Sequence, residues 1–222
     1  MTESALLPLG IYGGTFDPVH LGHLRLAEEA VDCLGLAGVR WIPAGQPLLR
    51  DAPRAEARTR LDMVRVATAD NPRFSVDAAE VDAARPSYTV PTLERLRLPE
   101  VLGSARPLVL LVGADAFAGM AGWHRWEALF ELAHVAVAHR PGYRLETAAL
   151  PAPLARVVEQ RLSEDFACLR SAPAGHIVHF AMTALDISAT RIRTSLSKGE
   201  SVRYLLPDVL VDYIQTHRLY SE

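Results

Sequence analysis

Gly13-Gly14-Thr15-Phe16-Asp17-Pro18-Val19-His20-Leu21-Gly22-His23 gathers residue types suited to holding an anion. His20 and His23 lie three apart across Gly22, so on a first helical turn they share a face. Two imidazoles beside a phosphate site can donate hydrogen bonds to charge that develops on phosphorus. Glycines let a nucleotide approach the backbone closely, and a helix start offers unpaired N–H groups and partial positive charge. No serine or cysteine stands with the histidines as a nucleophile–base pair. Two other readings stay open. One is a zinc site, for which a third ligand at short spacing is missing. The other is a pair of incidental surface histidines, against which the surrounding Gly13, Gly14, Pro18 and Gly22 argue. A dinucleotide fingerprint is excluded, since no G-x-G-x-x-G stands nearby.

A second chemical stretch is Ile187-Ser188-Ala189-Thr190-Arg191-Ile192-Arg193. Ser188 suits an N-cap, leaving N–H groups for an anion, Thr190 adds a hydroxyl, and Arg193 can grip phosphate through two N–H groups. An ordinary capped helix with exposed arginines is the competing reading.

These stretches need elements to position them. Leu6 to Tyr12 is apolar enough for a buried parallel strand, and Leu24 to Val31 continues past the histidines at helical spacing. Strands are expected at Val39–Gly45, Phe74–Asp77, Leu108–Val112, Val135–Ala138 and His176–Phe180. Helices are expected at Ala55–Ala69, from Pro86-Ser87-Tyr88-Thr89 to Leu98, at Trp126–Leu132, at Leu154–Leu162, from Ser188, and at Pro207–His217. Gln46 to Pro53 reads as a loop, and Gly119 to Gly122 as a flexible one. The alternation predicts an α/β, Rossmann-like, doubly wound and mostly parallel sheet with helices on both faces. Ligands of such sheets bind beyond the carboxyl ends of strands, where Gly13-Gly14, Gly113-Ala114-Asp115 and Ser188 all fall. No linker is visible, so residues 1–222 are expected to form one domain.

The chain has 222 residues, half of them hydrophobic, and a formal charge of −3 without runs of one sign. That argues against a protein that coats nucleic acid. Cys33 and Cys168 form no C-x-x-C, and neither a leader-like segment nor an apolar run of eighteen is seen. A cytoplasmic, reduced protein outside the membrane is therefore expected. No motif selects an oligomeric state.

GTFDPVHLGH resembles the G-x-F-x-P-x-H-x-G-H signature of the nucleotidyltransferases, and residues 187–193 resemble their I-S-S-T-x-x-R motif, with Ala189 at the second serine. Ser87-Tyr88-Thr89 with Thr92-Leu93, Gly113-Ala114-Asp115 with Trp123, Arg140-Pro141-Gly142-Tyr143, Leu205-Leu206-Pro207 and Tyr213-Ile214 are similar to segments of the bacterial nicotinate-nucleotide adenylyltransferases, in order along nearly the whole chain. The resemblance implies an enzyme that joins nicotinate mononucleotide to ATP, giving nicotinate adenine dinucleotide and pyrophosphate in NAD biosynthesis. It implies that His20, His23 and Arg193 are catalytic, and that Gly13, Gly14, Thr15, Phe16, Arg50, Ser188 and Thr190 hold ATP and its phosphates. Tyr88, Thr89, Asp115 and Trp123 would bind the mononucleotide, and Mg²⁺ would be held mainly by phosphates and water. Trp123 also reads as a core aromatic and Asp115 as a helix cap. One departure is Pro47-Leu48-Leu49-Arg50, where the family shows Pro-Pro-His before a basic residue. His124, His134, His139, His176, His179 and His217 read as structural or exposed. Transferases for pantetheine phosphate or nicotinamide mononucleotide are the nearest rivals, and a catalytically silent nucleotide-binding module is the rival from another class.

Overall fold

In a computed structural model that describes residues 6–48, 52–83, 85–142 and 147–221, six strands form one sheet. They are β1 (Leu9–Gly14), β2 (Gly38–Pro43), β3 (Phe74–Val76), β4 (Leu108–Gly113), β5 (His134–His139) and β6 (Ile177–Ala181). Their order is β3-β2-β1-β4-β5-β6. The β1–β4, β4–β5 and β5–β6 pairs are parallel, with Ile11 beside Leu110, Leu111 beside Ala136 and Val137 beside His179. The order turns back at β1, with β2 and β3 on one side of it and β4, β5 and β6 on the other, as in doubly wound sheets. The α/β, doubly wound expectation therefore holds. In β4 and β5 every residue but the last is buried, which is why Leu108–Val112 and Val135–Ala138 read as unbroken apolar runs.

The α-helices among the described residues are α1 (Leu21–Leu34), α2 (Ala57–Thr68), α3 (Ala79–Asp82), α4 (Thr89–Leu96), α5 (Ala114–Ala118), α6 (Leu129–Leu132), α7 (Ala152–Arg161), α8 (Ala189–Ser197) and α9 (Asp208–Thr216). Pro86 lies outside α4, which starts only at Thr89. Trp126–Leu132 divides into a 3₁₀ turn and α6. Gly119 to Gly122, expected to be a flexible loop, is instead a structured turn. Met120–Gly122 is a 3₁₀ helix, Trp123 N–H bonds the Met120 carbonyl at 2.9 Å, and the Met120 side chain is fully buried. None of these helices is long and apolar enough to cross a membrane.

The chain divides into two compact units that interleave in sequence. The first comprises Met1–Tyr12, Glu29–Val39 and Tyr88–Thr183. Its core includes Leu108, Leu111, Phe117, Phe130, Leu154 and Ile177. Arg97 joins its loops by donating to the carbonyls of Leu132, Ser104, Arg106 and Pro173. The second unit comprises Gly13–Glu28, Arg40–Ser87 and Ala184–Glu222. Trp41, Leu61, Met63, Ile192 and Leu210 fill its interior, where α9 packs on α2.

Candidate active site

The phosphate-type residues belong to the second unit. The chain leaves β1 through Gly13 and Gly14, turns through Phe16 with φ of 50°, and enters α1 at Leu21. His20 thus stands just before the helix and His23 in its first turn. Their rings stack with centroids 3.7 Å apart and planes 24° apart. The His20 backbone N–H donates to His23 Nδ1 at 3.3 Å, so neutral His23 carries its proton on Nε2. His20 is buried, and burial pushes its pKa down to about 4, leaving it neutral at physiological pH. Gly22 makes room for this ring: a Cβ there would come within 3.1 Å of His20 Nδ1.

The start of α1 offers an anion less than its sequence implies. Leu21 N–H is taken by the Leu205 carbonyl at 3.0 Å, and His23 and Leu24 N–H by the His20 carbonyl. Three of the first four amides are thereby used, and of the four only that of Gly22 has no bond of this kind among the described residues. The Leu205-Leu206-Pro207 segment has its physical role here: Leu205 caps α1, Leu206 is buried, and Pro207 leads into α9. Phe16 is buried too, edge-on to His23 at 5.2 Å and tilted on Trp41 at 5.3 Å. Its side chain supports the His23 ring.

Ser188 caps α8 as its residue type foretells, its Oγ accepting from Arg191 N–H at 3.3 Å. Arg193 Nη1 donates to the Asp17 carbonyl at 2.6 Å, and Nη2 to Thr190 Oγ1 at 3.3 Å. This bond joins the two motifs across 176 residues. Asp17 itself, only 6% exposed, accepts from the backbone N–H groups of Arg54 and Ala55. Arg60, 1% exposed, donates to the carbonyls of Thr15 at 2.6 Å, Gly45 at 3.0 Å and Ala55 at 3.2 Å. Gly45 is required where it stands, since a Cβ would meet the Glu80 carbonyl oxygen at 2.1 Å. Ser87 braces the same turn, accepting from Gly45 and Gln46 N–H through Oγ. Leu49, Arg50 and Tyr143 lie outside the described residues.

The mononucleotide-type residues belong to the first unit. Tyr88 precedes α4, so the amides of Thr89 and its successors open that helix. The Tyr88 ring lies 4.6 Å from that of His124, a residue read from sequence as structural or exposed. Asp115 is exposed in the first turn of α5, whose N-cap position is held by Gly113. Trp123 is half-buried and outside the core, while Trp126 packs edge-on against Phe130 at 6.2 Å.

A cytidylyltransferase-like family model matches residues 11–195, a span that includes both motifs. A probable nicotinate-nucleotide adenylyltransferase of Dechloromonas aromatica is 62% identical over 213 residues, covering 96% of this chain and 97% of that protein. The chain belongs to the nicotinate-nucleotide adenylyltransferase family. A second member, from Acidithiobacillus ferrooxidans, is 45% identical over 216 residues and covers 96% and 95% of the two chains. Among solved structures, Plasmodium falciparum nicotinic acid mononucleotide adenylyltransferase complexed with NaAD has the same fold, with a TM-score of 0.69 at 15% identity, covering 96% of this chain and 97% of that one. Asp17 and Ser87 stand inside motifs read from the sequence but carry no role of their own there, and Arg60 stands in none. The one sequence signal for Arg60 is a charge beside Leu61 and Val64 on the buried face of α2.

Proposed function

We propose that the chain transfers the adenylyl group of ATP to nicotinate mononucleotide, giving nicotinate adenine dinucleotide and pyrophosphate, as one nucleotidyltransferase domain over residues 1–222. The observation that carries this reading is the Arg193 guanidinium bonded to the Asp17 carbonyl, in the loop that presents the stacked His20–His23 pair. The 5′-phosphate oxygen of the mononucleotide attacks the α-phosphorus in line. As that O–P bond forms, the bond to the bridging oxygen breaks and pyrophosphate leaves with the electron pair. Such transfers are driven by positioning and charge stabilisation. His23 donates through Nε2–H, and neutral His20 stands beside it, toward the α-phosphate. Arg193, with the hydroxyls of Ser188 and Thr190 and with Arg50, binds the β- and γ-phosphates. Gly13, Gly14 and Thr15 line the nucleotide's path, and Phe16 acts by holding His23.

Among the described residues no group of three His, Cys, Asp or Glu is placed to hold a metal, and the Asp17 carboxylate is engaged by protein donors. This donor set fits a Mg²⁺ ion that arrives with ATP and is held by phosphate oxygens and water. Such an ion supplies neutralisation of the triphosphate charge. In the first unit, Tyr88 and the opening amides of α4 face the nicotinate carboxylate, Trp123 covers the pyridine ring, and Asp115 meets a ribose. Cytoplasmic residence belongs to the same proposal.

The test is pyrophosphate release from ATP with nicotinate or nicotinamide mononucleotide. At least a tenfold preference in kcat/KM for the acid is expected, corresponding to about 1.4 kcal/mol. Equal efficiency overturns the carboxylate pocket, and no release with either removes the activity. Arg50→Ala should raise the ATP KM, and an unchanged value returns that residue to solvent.

A further inference from the structure

The Asp17 carboxylate sits in a built nest within the second unit. Oδ2 accepts from Arg54 N–H at 2.7 Å, and Oδ1 from Ala55 N–H at 3.1 Å. Oδ1 takes a further bond, 2.7 Å long, from the hydroxyl of Tyr220, a residue 203 positions later. Arg193 Nη1 stands 3.7 Å from Oδ2. We propose that Tyr220 is a positioning residue for ATP binding: its hydroxyl holds Asp17 so that Arg193 stays presented to the triphosphate. The inference rests on the phosphate-binding role of Arg193 given above.

The path of the chain supports it. After α9 the backbone turns back, with Arg218 N–H on the Gln215 carbonyl and Leu219 N–H on the Ile214 carbonyl. Arg218 and Tyr220 adopt left-handed φ values of 49° and 62°. Side-chain-bearing residues hold such values at a cost, and persist there where the surroundings over-determine them. The bond to Asp17 and the Met63 sulfur 3.9 Å from the Tyr220 hydroxyl are what fix this tail. Burial and the neighbouring carboxylate push the Tyr220 pKa up, so the hydroxyl remains a donor at every working pH. A carboxylate that receives this O–H leans less on its other partners. Without it, Asp17 must draw more compensation from Arg193, the cation beside it, and the guanidinium is pulled away from phosphate. The same carboxylate fixes the backbone at Arg54 and Ala55, just after the segment that carries Arg50.

Tyr220→Phe removes one hydroxyl and leaves the ring. In full-length protein it should raise the ATP KM about tenfold while changing the KM for nicotinate mononucleotide less than about twofold. Calorimetric titration with ATP alone should show the same loss without relying on turnover. In an Arg193→Lys background, Tyr220→Phe should add nothing, because both changes act on one contact. Tyr213→Phe, a hydroxyl lost from the preceding helix, should leave both constants alone. A silent Tyr220→Phe beside a strongly impaired Arg193→Ala, or additive effects in the double variant, overturns the positioning role. An Arg193→Ala enzyme with an unchanged ATP KM overturns the phosphate reading beneath it.

Discussion

Neutral His20 and tautomer-fixed His23 stack on one another at the start of α1. The Nδ1 of His23 accepts from backbone, so its proton sits on Nε2. His20 has its Nδ1 buried with no hydrogen-bond partner among the described residues, and it depends on the space left by Gly22. His20→Ala and His23→Ala are each expected to cut turnover by roughly 10²–10³, the usual cost of losing one preorganised donor, with a much smaller change in ATP affinity. Gly22→Ala tests the seating without deleting either imidazole. A Cβ 3.1 Å from His20 Nδ1 is closer than van der Waals contact, so the ring must give by a few tenths of an ångström, and a loss of turnover smaller than in the histidine variants is expected. Pyrophosphate release at saturating ATP reads all three variants, and near-normal turnover in the histidine variants would end their catalytic assignment. For Trp123→Ala, a higher KM for the mononucleotide with ATP spared is expected. An unchanged constant would show that the half-buried indole only packs.

At the scale of elements, α2 acts as a clamp. Its Arg60 reaches the carbonyls of Thr15 and Gly45, so one guanidinium ties the turn after β1 to the turn after β2. Burial lowers the Arg60 pKa, whereas nearby Asp17 and Tyr220 favour its charge. Arg60→Met fills a similar volume but leaves the buried Ala55 carbonyl and the part-buried carbonyls of Thr15 and Gly45 without their donor. A buried loss costs about 1–3 kcal/mol and the part-buried ones less, so urea unfolding should show destabilisation of about 2–3 kcal/mol. A loss below about 1 kcal/mol would mean that water replaces the guanidinium at these sites.

Across the whole molecule, two buried histidines set the response to acid. His20 and His134 both have pKa values lowered to about 4, chiefly by burial. Each therefore binds fewer protons in the folded than in the unfolded chain between pH 4 and the ordinary value of 6.5. Their contribution is complete above the unfolded value and is lost as pH falls toward the folded one, by up to about 1.4 kcal/mol per pH unit for each group. At His134 burial is the largest cause, with His176 and Arg97 adding to it and the Ala172 carbonyl opposing it. Nδ1 accepts His176 N–H at 3.0 Å while Nε2 lies 2.9 Å from the Ala172 carbonyl, so a second proton has no acceptor. Urea unfolding at pH 7 and pH 5 should give a steeper loss for the native chain than for His134→Asn. Parallel slopes would assign the acid sensitivity elsewhere.

Much of this protein was legible in the residues alone because the signals are local. Apolar runs mark β4 and β5, helical spacing marks α1, and Ser188 marks the start of α8. The cap at Ser188 was legible for the same reason, since its bond spans three residues. What only the tertiary structure decided depends on partners distant in sequence, which no periodicity reports. Leu205, far along the chain, occupies the amide of Leu21 and so caps the start of α1. Phe16 turns inward under His23, although it stands in the motif as if to face the nucleotide. Arg60, Asp17 and Tyr220 meet the motif residues across 45, 176 and 203 positions. Charged and hydroxyl side chains of this kind are usually solvated, and only the folded topology shows which ones are buried against a carbonyl or a carboxylate.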